Sequence, residues 1–166
     1  MPAELLLDTG AFVALIDRSE TKHAECVAVL ERWMDPIITT EAVLTEALYL
    51  VGPAWAPQKA CLEFFLRGAF LLVPSSKASL KRVTALMEKY HDLPMDYADA
   101  TLVTLAEESG TDHVFTLDRK GFTTYRLHGK RPSGSFPKGT TVPRNSRCRQ
   151  PFGDKNVEAA RALSLG

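Results

Sequence analysis

Short runs of apolar residues alternate along the chain with longer stretches in which apolar residues recur every three to four positions. The short runs are rich in Leu, Ile, Val and Phe and are bounded by turn-forming residues, which predicts buried β-strands. The longer stretches carry the 3.6-residue repeat of helices that pack one face on a core. Four strands and a candidate fifth are therefore predicted: Glu4–Leu7, Ile37–Ile38, Ala69–Val73, His113–Leu117 and Thr123–Leu127.

Helices are predicted in the intervals between these strands, and capping residues mark several of their ends. Ser19 is a candidate N-cap for the second helix, and Gly110 suits the left-handed C-cap position of the last one. The alternation of strands and helices predicts an α/β fold with a mostly parallel central sheet. The six predicted helices cover about residues 10–17, 19–35, 40–51, 57–66, 76–90 and 97–108.

The length of 166 residues favours a single compact domain. The apolar pattern stops near residue 128, and Gly, Pro, Ser, Lys and Arg dominate the sequence after it. We therefore predict a folded domain over residues 1–128. A basic, Pro/Gly-rich extension is predicted over residues 129–166, extended or disordered except for a candidate short helix at Val157–Leu165.

The charges are balanced overall but unevenly distributed. Residues 1–118 contain 9 basic and 18 acidic residues, a net charge of −9, whereas residues 119–166 contain 11 and 2, a net charge of +9. A formal net charge of zero on its own would argue against binding to nucleic acid. The uneven distribution is typical of a chain with a basic interaction segment, although a solvated polar tail with an accidental bias would look the same.

The cysteines and histidines indicate the compartment and the class of metal. Cys26, Cys61 and Cys148 are odd in number and form no C-x-x-C pair, and neither a secretory signal nor a run of about 20 apolar residues is visible. These features predict a cytoplasmic protein without a membrane segment. The four histidines lack the spacing of metal ligands, so carboxylates would have to hold any metal, which favours Mg²⁺ or Mn²⁺.

Acidic residues follow two of the predicted strands and lie on two of the predicted helices. Asp8 and Asp118 come after strands, at the sheet edge where open parallel sheets bind ligands. Glu46 flanks the buried stripe of its helix, and Asp99 lies three residues after Asp96 in the first turn of another. If these carboxylates converge, their mutual repulsion requires a cation, and one or two Mg²⁺ ions would support phosphodiester cleavage.

Each acidic residue also has a purely structural interpretation. Asp8 could N-cap the helix that follows it, and Asp96 with Asp99 could form a capping pair. Asp118 could be a turn residue, and Glu46 a solvated helix side chain. The neighbouring hydroxyl residues, Thr9 and Thr116, are candidates to orient a carboxylate or a metal-bound water.

Four segments carry a resemblance to a known family, in the family's order and over about residues 5–127. The sequence resembles PIN-domain proteins of the VapC-like toxin ribonuclease type. This resemblance implies a three-layer α/β/α sandwich with a sheet of four to five strands, metal-dependent endoribonuclease activity, a homodimer and inhibition by a cognate antitoxin. The segments are Leu5–Gly10, Thr45–Ala47, Met95–Val103 and Thr116–Arg119.

The resemblance also implies roles for individual residues. Asp8, Glu46, Asp99 and Asp118 match the family's acidic quartet, and Asp96 matches an additional acid found in part of the family. Many relatives continue after the fourth acid with a further acid and an Asp-Phe pair. Here Lys120 and Gly121-Phe122 stand in that place, so a supplementary metal contact is missing.

The leading functional hypothesis is metal-dependent RNA cleavage. Asp8, Asp99 and Asp118 would hold Mg²⁺, Glu46 would complete the site or help to activate water, and Arg119 and Lys120 would contact phosphates. A non-catalytic module that binds RNA or protein is the first alternative. An aspartyl-phosphate phosphotransferase is the second, but such enzymes need another acid two residues after the nucleophile, where this chain has a glycine.

Overall fold

A computed structural model describes residues 4–118, together with 126–127, 131–132, 134–135, Lys155 and Glu158. Its central sheet contains five parallel strands in the order β3-β2-β1-β4-β7, and β5 and β6 form a separate antiparallel pair. The strands are β1 (Leu5–Leu7), β2 (Ile37–Thr40), β3 (Phe70–Val73), β4 (His113–Phe115), β5 (Arg126–Leu127), β6 (Arg131–Pro132) and β7 (Gly134–Ser135).

The helices connect the parallel strands and cover both faces of the sheet. One face packs against a core that includes Phe12, Leu15 and Phe64, and the other against a core that includes Val83 and Leu102. This arrangement confirms the three-layer α/β/α fold. The helices are α1 (Thr9–Ile16), α2 (His23–Arg32), α3 (Glu41–Leu50), α4 (Trp55–Leu66), α5 (Lys77–Lys89) and α6 (Tyr97–Ser109).

Aromatic packing anchors the edge of the sheet on the first of these faces. Phe64 and Phe70 stack with their ring centroids 4.6 Å apart, and Phe12 meets Phe70 edge to face at 5.5 Å. Phe12 comes from α1 and Phe64 from α4, while Phe70 begins β3. These rings therefore hold α1, the helix that starts at Asp8, in place against the sheet.

Two helix starts differ from the sequence-based prediction. Ser19 does not cap α2, because its backbone N–H and its hydroxyl both donate to Asp17 Oδ1, at 2.9 and 2.7 Å, in the turn after α1. The N-cap of α2 is Lys22, which makes no side-chain capping bond. Helix α4 begins at Trp55 instead of Pro57, since proline is tolerated in the first turn of a helix.

The predicted domain boundary at residue 128 stays a prediction, because most of the chain after Asp118 lies outside the described residues. The short strand β7 in the 129–166 region pairs with β4, and Lys155 and Glu158 are helical. No helix within the described residues is both long enough and apolar enough to cross a bilayer.

Candidate active site

The carboxyl ends of two neighbouring strands carry the first part of the site. Strands β1 and β4 are parallel and paired, with Leu7 opposite Phe115. Asp8 directly follows β1, and Thr116 directly follows β4. The two side chains therefore leave the sheet at the same edge. This position was predicted for Asp8, whereas Thr116 was expected inside the strand His113–Leu117, which in the structure ends at Phe115.

Asp8 caps a helix and accepts a hydrogen bond from the neighbouring strand as well. Its Oδ1 accepts from the backbone N–H of Thr9 at 2.8 Å, which makes it the N-cap of α1. Its Oδ2 accepts from Thr116 Oγ1 at 2.6 Å, and Thr116 Oγ1 accepts from the backbone N–H of Asp118 at 2.9 Å. The capping interpretation of Asp8 is therefore correct. The same carboxylate also belongs to a group of acids that we call the acidic cluster, which consists of Asp8, Glu46, Asp96, Asp99 and Asp118.

Thr9 joins the carboxylate on α3 to this group. Its hydroxyl donates to Glu46 Oε2 at 2.6 Å, while its backbone N–H donates to Asp8. Thr9 is buried and Glu46 is half-buried. One threonine thus orients two acids that are 38 positions apart in the sequence.

The remaining acids lie at the start of α6. The backbone N–H of Asp99 donates to Asp96 Oδ1 at 2.8 Å, and the N–H of Asp96 donates to Asp99 Oδ2 at 3.4 Å. This reciprocal pair is a capping box, so the structural interpretation of Asp96 is correct. Asp96 is exposed, whereas Asp99 is half-buried.

Burial and mutual repulsion shift the protonation of two acids. Burial raises the pKa of Asp8 to about 6, and the charges of Glu46 and Asp118 add to this shift, while the hydrogen bonds from Thr116 and Thr9 oppose it. Burial, followed by the charge of Asp96, raises the pKa of Asp99 to about 7, and Asp8 and Glu46 contribute further. The charges of Glu46 and Asp118 thus act on Asp8, and those of Asp96, Asp8 and Glu46 act on Asp99.

The donor chemistry of this cluster fits a divalent cation. All its ligand candidates are carboxylate or hydroxyl oxygens, and no ion pair within residues 4–118 involves Asp8, Glu46 or Asp99. A cation would offset both the burial and the mutual repulsion that raise the pKa of Asp8 and Asp99. In the described part of the chain no three Asp, Glu, His or Cys residues are close enough together to form a ligand set, so holding a cation would require the carboxylates to move closer to one another.

Sequence reasoning found the acids of this cluster but missed one polar contact beside it. Thr40 and Thr101 are buried, and their hydroxyl oxygens lie 2.9 Å apart. The available signal was the presence of two hydroxyl residues, Thr101 and Thr104, among the apolar residues at the centre of α6. The predicted phosphate-contacting residues Arg119 and Lys120 lie outside the described residues.

Comparisons with known proteins relate this arrangement to one family. A model of the PIN domain family matches residues 5–126. Ribonuclease VapC26 of Mycobacterium tuberculosis is 29% identical over 127 residues, which cover 75% of this chain and 94% of that protein. The crystal structure of Mycobacterium tuberculosis VapC20, a toxin that cleaves the sarcin-ricin loop, matches with a TM-score of 0.67 over 77% of this chain and 99% of its own. Its sequence identity is 14%, so this likeness concerns the fold.

Proposed function

Because this chain belongs to the PIN domain family, we propose that it is a metal-dependent endoribonuclease that hydrolyses phosphodiester bonds in RNA. The observation that carries the proposal is the acidic cluster at the carboxyl edge of the sheet. There Asp8 and Glu46 are oriented by hydroxyl groups, and the pKa values of Asp8 and Asp99 are raised. The similarity to a protein named as a ribonuclease supports the same activity.

Asp8, Asp99 and Asp118 would hold Mg²⁺ or Mn²⁺, with Asp96 as an additional candidate next to Asp99. A divalent cation bound there supplies the Lewis acidity that activates water and stabilises a leaving oxygen. The hydrogen bonds from the Thr9 N–H and the Thr116 hydroxyl would hold the Asp8 carboxylate in a fixed orientation toward a cation.

Glu46 is the candidate proton acceptor. Its Oε2 accepts one hydrogen bond from Thr9, and the carboxylate keeps further lone pairs that would take a proton from the attacking water. Thr9 thereby keeps the acceptor at a defined position relative to Asp8. The acids repel the phosphate backbone of RNA, and the basic residues that follow, beginning with Arg119 and Lys120, would offset that repulsion.

The family resemblance extends the proposal to the protein's setting. We propose a cytoplasmic toxin of a type II toxin-antitoxin pair that acts as a homodimer and is inhibited by its cognate antitoxin protein. Its nuclease domain would comprise residues 1–128, with the basic extension over residues 129–166 as an accessory segment.

Incubation of the purified full chain with a mixed RNA pool tests the activity. We expect cleavage in Mg²⁺ or Mn²⁺ and none in EDTA, and we expect Asp8→Asn to abolish cleavage while the fold is retained. Asp92→Asn is the matched control, because Asp92 lies in a loop and is 87% exposed. RNA that is bound with strong salt dependence but never cut would instead identify a binding module. Transfer of phosphate to Asp8 would identify a phosphotransferase.

A further inference from the structure

A buried pair of threonine hydroxyls connects the two helices that carry Glu46 and Asp99. Thr40 ends β2 and N-caps α3, whereas Thr101 lies on α6, two residues after Asp99. The Oγ1 atoms of the two threonines are 2.9 Å apart, and both side chains are buried. We propose that Thr40 and Thr101 are positioning residues that set the separation of Glu46 and Asp99 for RNA cleavage. The inference rests on the proposed ribonuclease function.

The direction of the hydrogen bonds follows from the single proton of each hydroxyl. Thr101 Oγ1 donates to the carbonyl of Ala98 at 2.8 Å, so it accepts from Thr40 Oγ1. Thr40 Oγ1 in turn accepts from the backbone N–H of Val43 at 3.4 Å. The result is one continuous relay from Val43 through both hydroxyls to Ala98.

The ends of this relay lie next to the acids of the site. Val43 and Glu46 are three positions apart on α3, so they are neighbours on the helix surface. Ala98 directly precedes Asp99 on α6. A change in the relay would therefore shift the start of α3, one turn before Glu46, and the first turn of α6, which carries Asp99.

Valine has nearly the shape of threonine, so Thr101→Val places a methyl group where the hydroxyl was and opens no new space for a water molecule at that point. The Thr40 hydroxyl would lose the Thr101 oxygen that accepts its hydrogen bond. Because Thr40 is buried, leaving this hydroxyl unsatisfied is unfavourable and favours a shift of α3 relative to α6.

Thr104 offers a matched control on the same helix. It is buried like Thr101, and its hydroxyl donates to the carbonyl of Ala100 at 2.9 Å, within α6 itself. Thr104→Val thus removes a hydroxyl of the same kind without breaking a bond between helices. Thr101→Ser keeps the hydroxyl and removes one methyl group.

Steady-state cleavage of an RNA substrate in Mg²⁺ by the full chain tests the proposal. We expect Thr101→Val to lower kcat about tenfold and to leave KM within about twofold, because misplaced catalytic groups affect the transition state more than substrate binding. Thr101→Ser should stay within about twofold of the wild type, and Thr104→Val should leave kcat unchanged. The double variant Thr40→Val/Thr101→Val should be no slower than the slower single variant.

Three results would overturn the positioning role while the proposed function stands. They are equal losses of kcat in Thr101→Val and Thr104→Val, an unchanged kcat in Thr101→Val, and a kcat of Thr101→Ser that is as low as that of Thr101→Val. A wild type that binds Mn²⁺ without cleaving RNA would contradict the proposed function alone. In that case the affinity for Mn²⁺ tests the positioning role of Thr40 and Thr101. Thr101→Val should weaken this affinity more than Thr104→Val does. If the wild type neither binds Mn²⁺ nor cleaves RNA, the acidic cluster is not an active site and both proposals are overturned.

Discussion

Thr116 donates its hydroxyl proton to Asp8 Oδ2 at 2.6 Å and thereby joins the carboxyl ends of β4 and β1. The hydroxyl oxygen of Thr116 in turn accepts a hydrogen bond from the backbone N–H of Asp118. One hydroxyl group thus orients Asp8 and holds the segment that carries Asp118. Because 108 positions separate Thr116 from Asp8, this bond depends on the pairing of the two strands.

Removing this hydroxyl should impair the proposed activity. We expect Thr116→Val to lower kcat for RNA cleavage about 10- to 100-fold, because Asp8 loses its orienting donor and Asp118 its acceptor. Thr116→Ser retains the hydroxyl and should cleave at nearly the wild-type rate. Steady-state kinetics at saturating Mg²⁺ measure the effect, and equal rates for the valine and serine variants would contradict the orienting role.

The raised pKa values predict how the metal-free protein responds to pH. Asp8 and Asp99 hold their protons more tightly in the folded protein, with pKa values of about 6 and about 7, than at the ordinary value of 3.8. Between about pH 4 and pH 7 the folded state therefore binds more protons than the unfolded state. The contribution of these two groups to the free energy of unfolding should fall as the pH rises through that window.

Asp8→Asn isolates this contribution because asparagine is neutral at every pH. In EDTA at pH 8 the variant should be more stable than the wild type by on the order of 1–3 kcal/mol, and this advantage should disappear near pH 4. Urea denaturation at both pH values measures the difference. Asp92→Asn, at an exposed loop position, should show no such pH-dependent gain. A stability difference between Asp8→Asn and the wild type that does not change between pH 4 and pH 8 would contradict the raised pKa of Asp8.

A divalent cation should reverse the same repulsion. We expect Mg²⁺ or Mn²⁺ to raise the thermal midpoint of the wild type by about 2–5 °C at pH 8 and by less at pH 5, where protons compete for the carboxylates. The increase should be absent in Asp8→Asn. Thermal denaturation with and without metal measures it. An equal increase in the thermal midpoint of Asp8→Asn would show that the cation binds at a site that does not include Asp8.

Truncation of the aromatic cluster should destabilise the fold. Phe70 is buried, stacks on Phe64 at 4.6 Å and meets Phe12 edge to face. We expect Phe70→Ala to lower the free energy of unfolding by about 3–5 kcal/mol, because the lost contacts leave a cavity at the edge strand. Phe70→Leu fills part of that space and should lower the free energy of unfolding by less. Urea denaturation compares the two variants, and equal losses would show that the cavity is not the cause.

The strand-end and helix-start acids could be predicted from the sequence because each depends on local pattern. Asp8 ends an apolar run, and Asp96 and Asp99 have the spacing of a capping box. The alternation of strands and helices predicts that the strands are parallel, and this brings their carboxyl ends to one edge of the sheet.

The contacts between the acids could not be predicted, because they connect residues that are distant in the sequence. The bond from Thr9 to Glu46 requires a particular packing of α1 against α3, and the Thr40–Thr101 pair requires a particular packing of α6 against β2. The start of α2 was misplaced for a local reason, since the Ser19 hydroxyl bonds back to Asp17 instead of capping the following helix.

The central claim is tested most directly by measuring two quantities in the same samples. These are the binding of Mn²⁺, detected by electron paramagnetic resonance, and the rate of RNA cleavage. The account predicts that the wild type and Asp92→Asn bind Mn²⁺ and that their rate of RNA cleavage rises in proportion to the fraction of protein with Mn²⁺ bound. Asp8→Asn and Asp99→Asn should lose both properties. Full Mn²⁺ binding and unchanged cleavage in Asp8→Asn and Asp99→Asn would contradict the assignment of the acidic cluster as the active site.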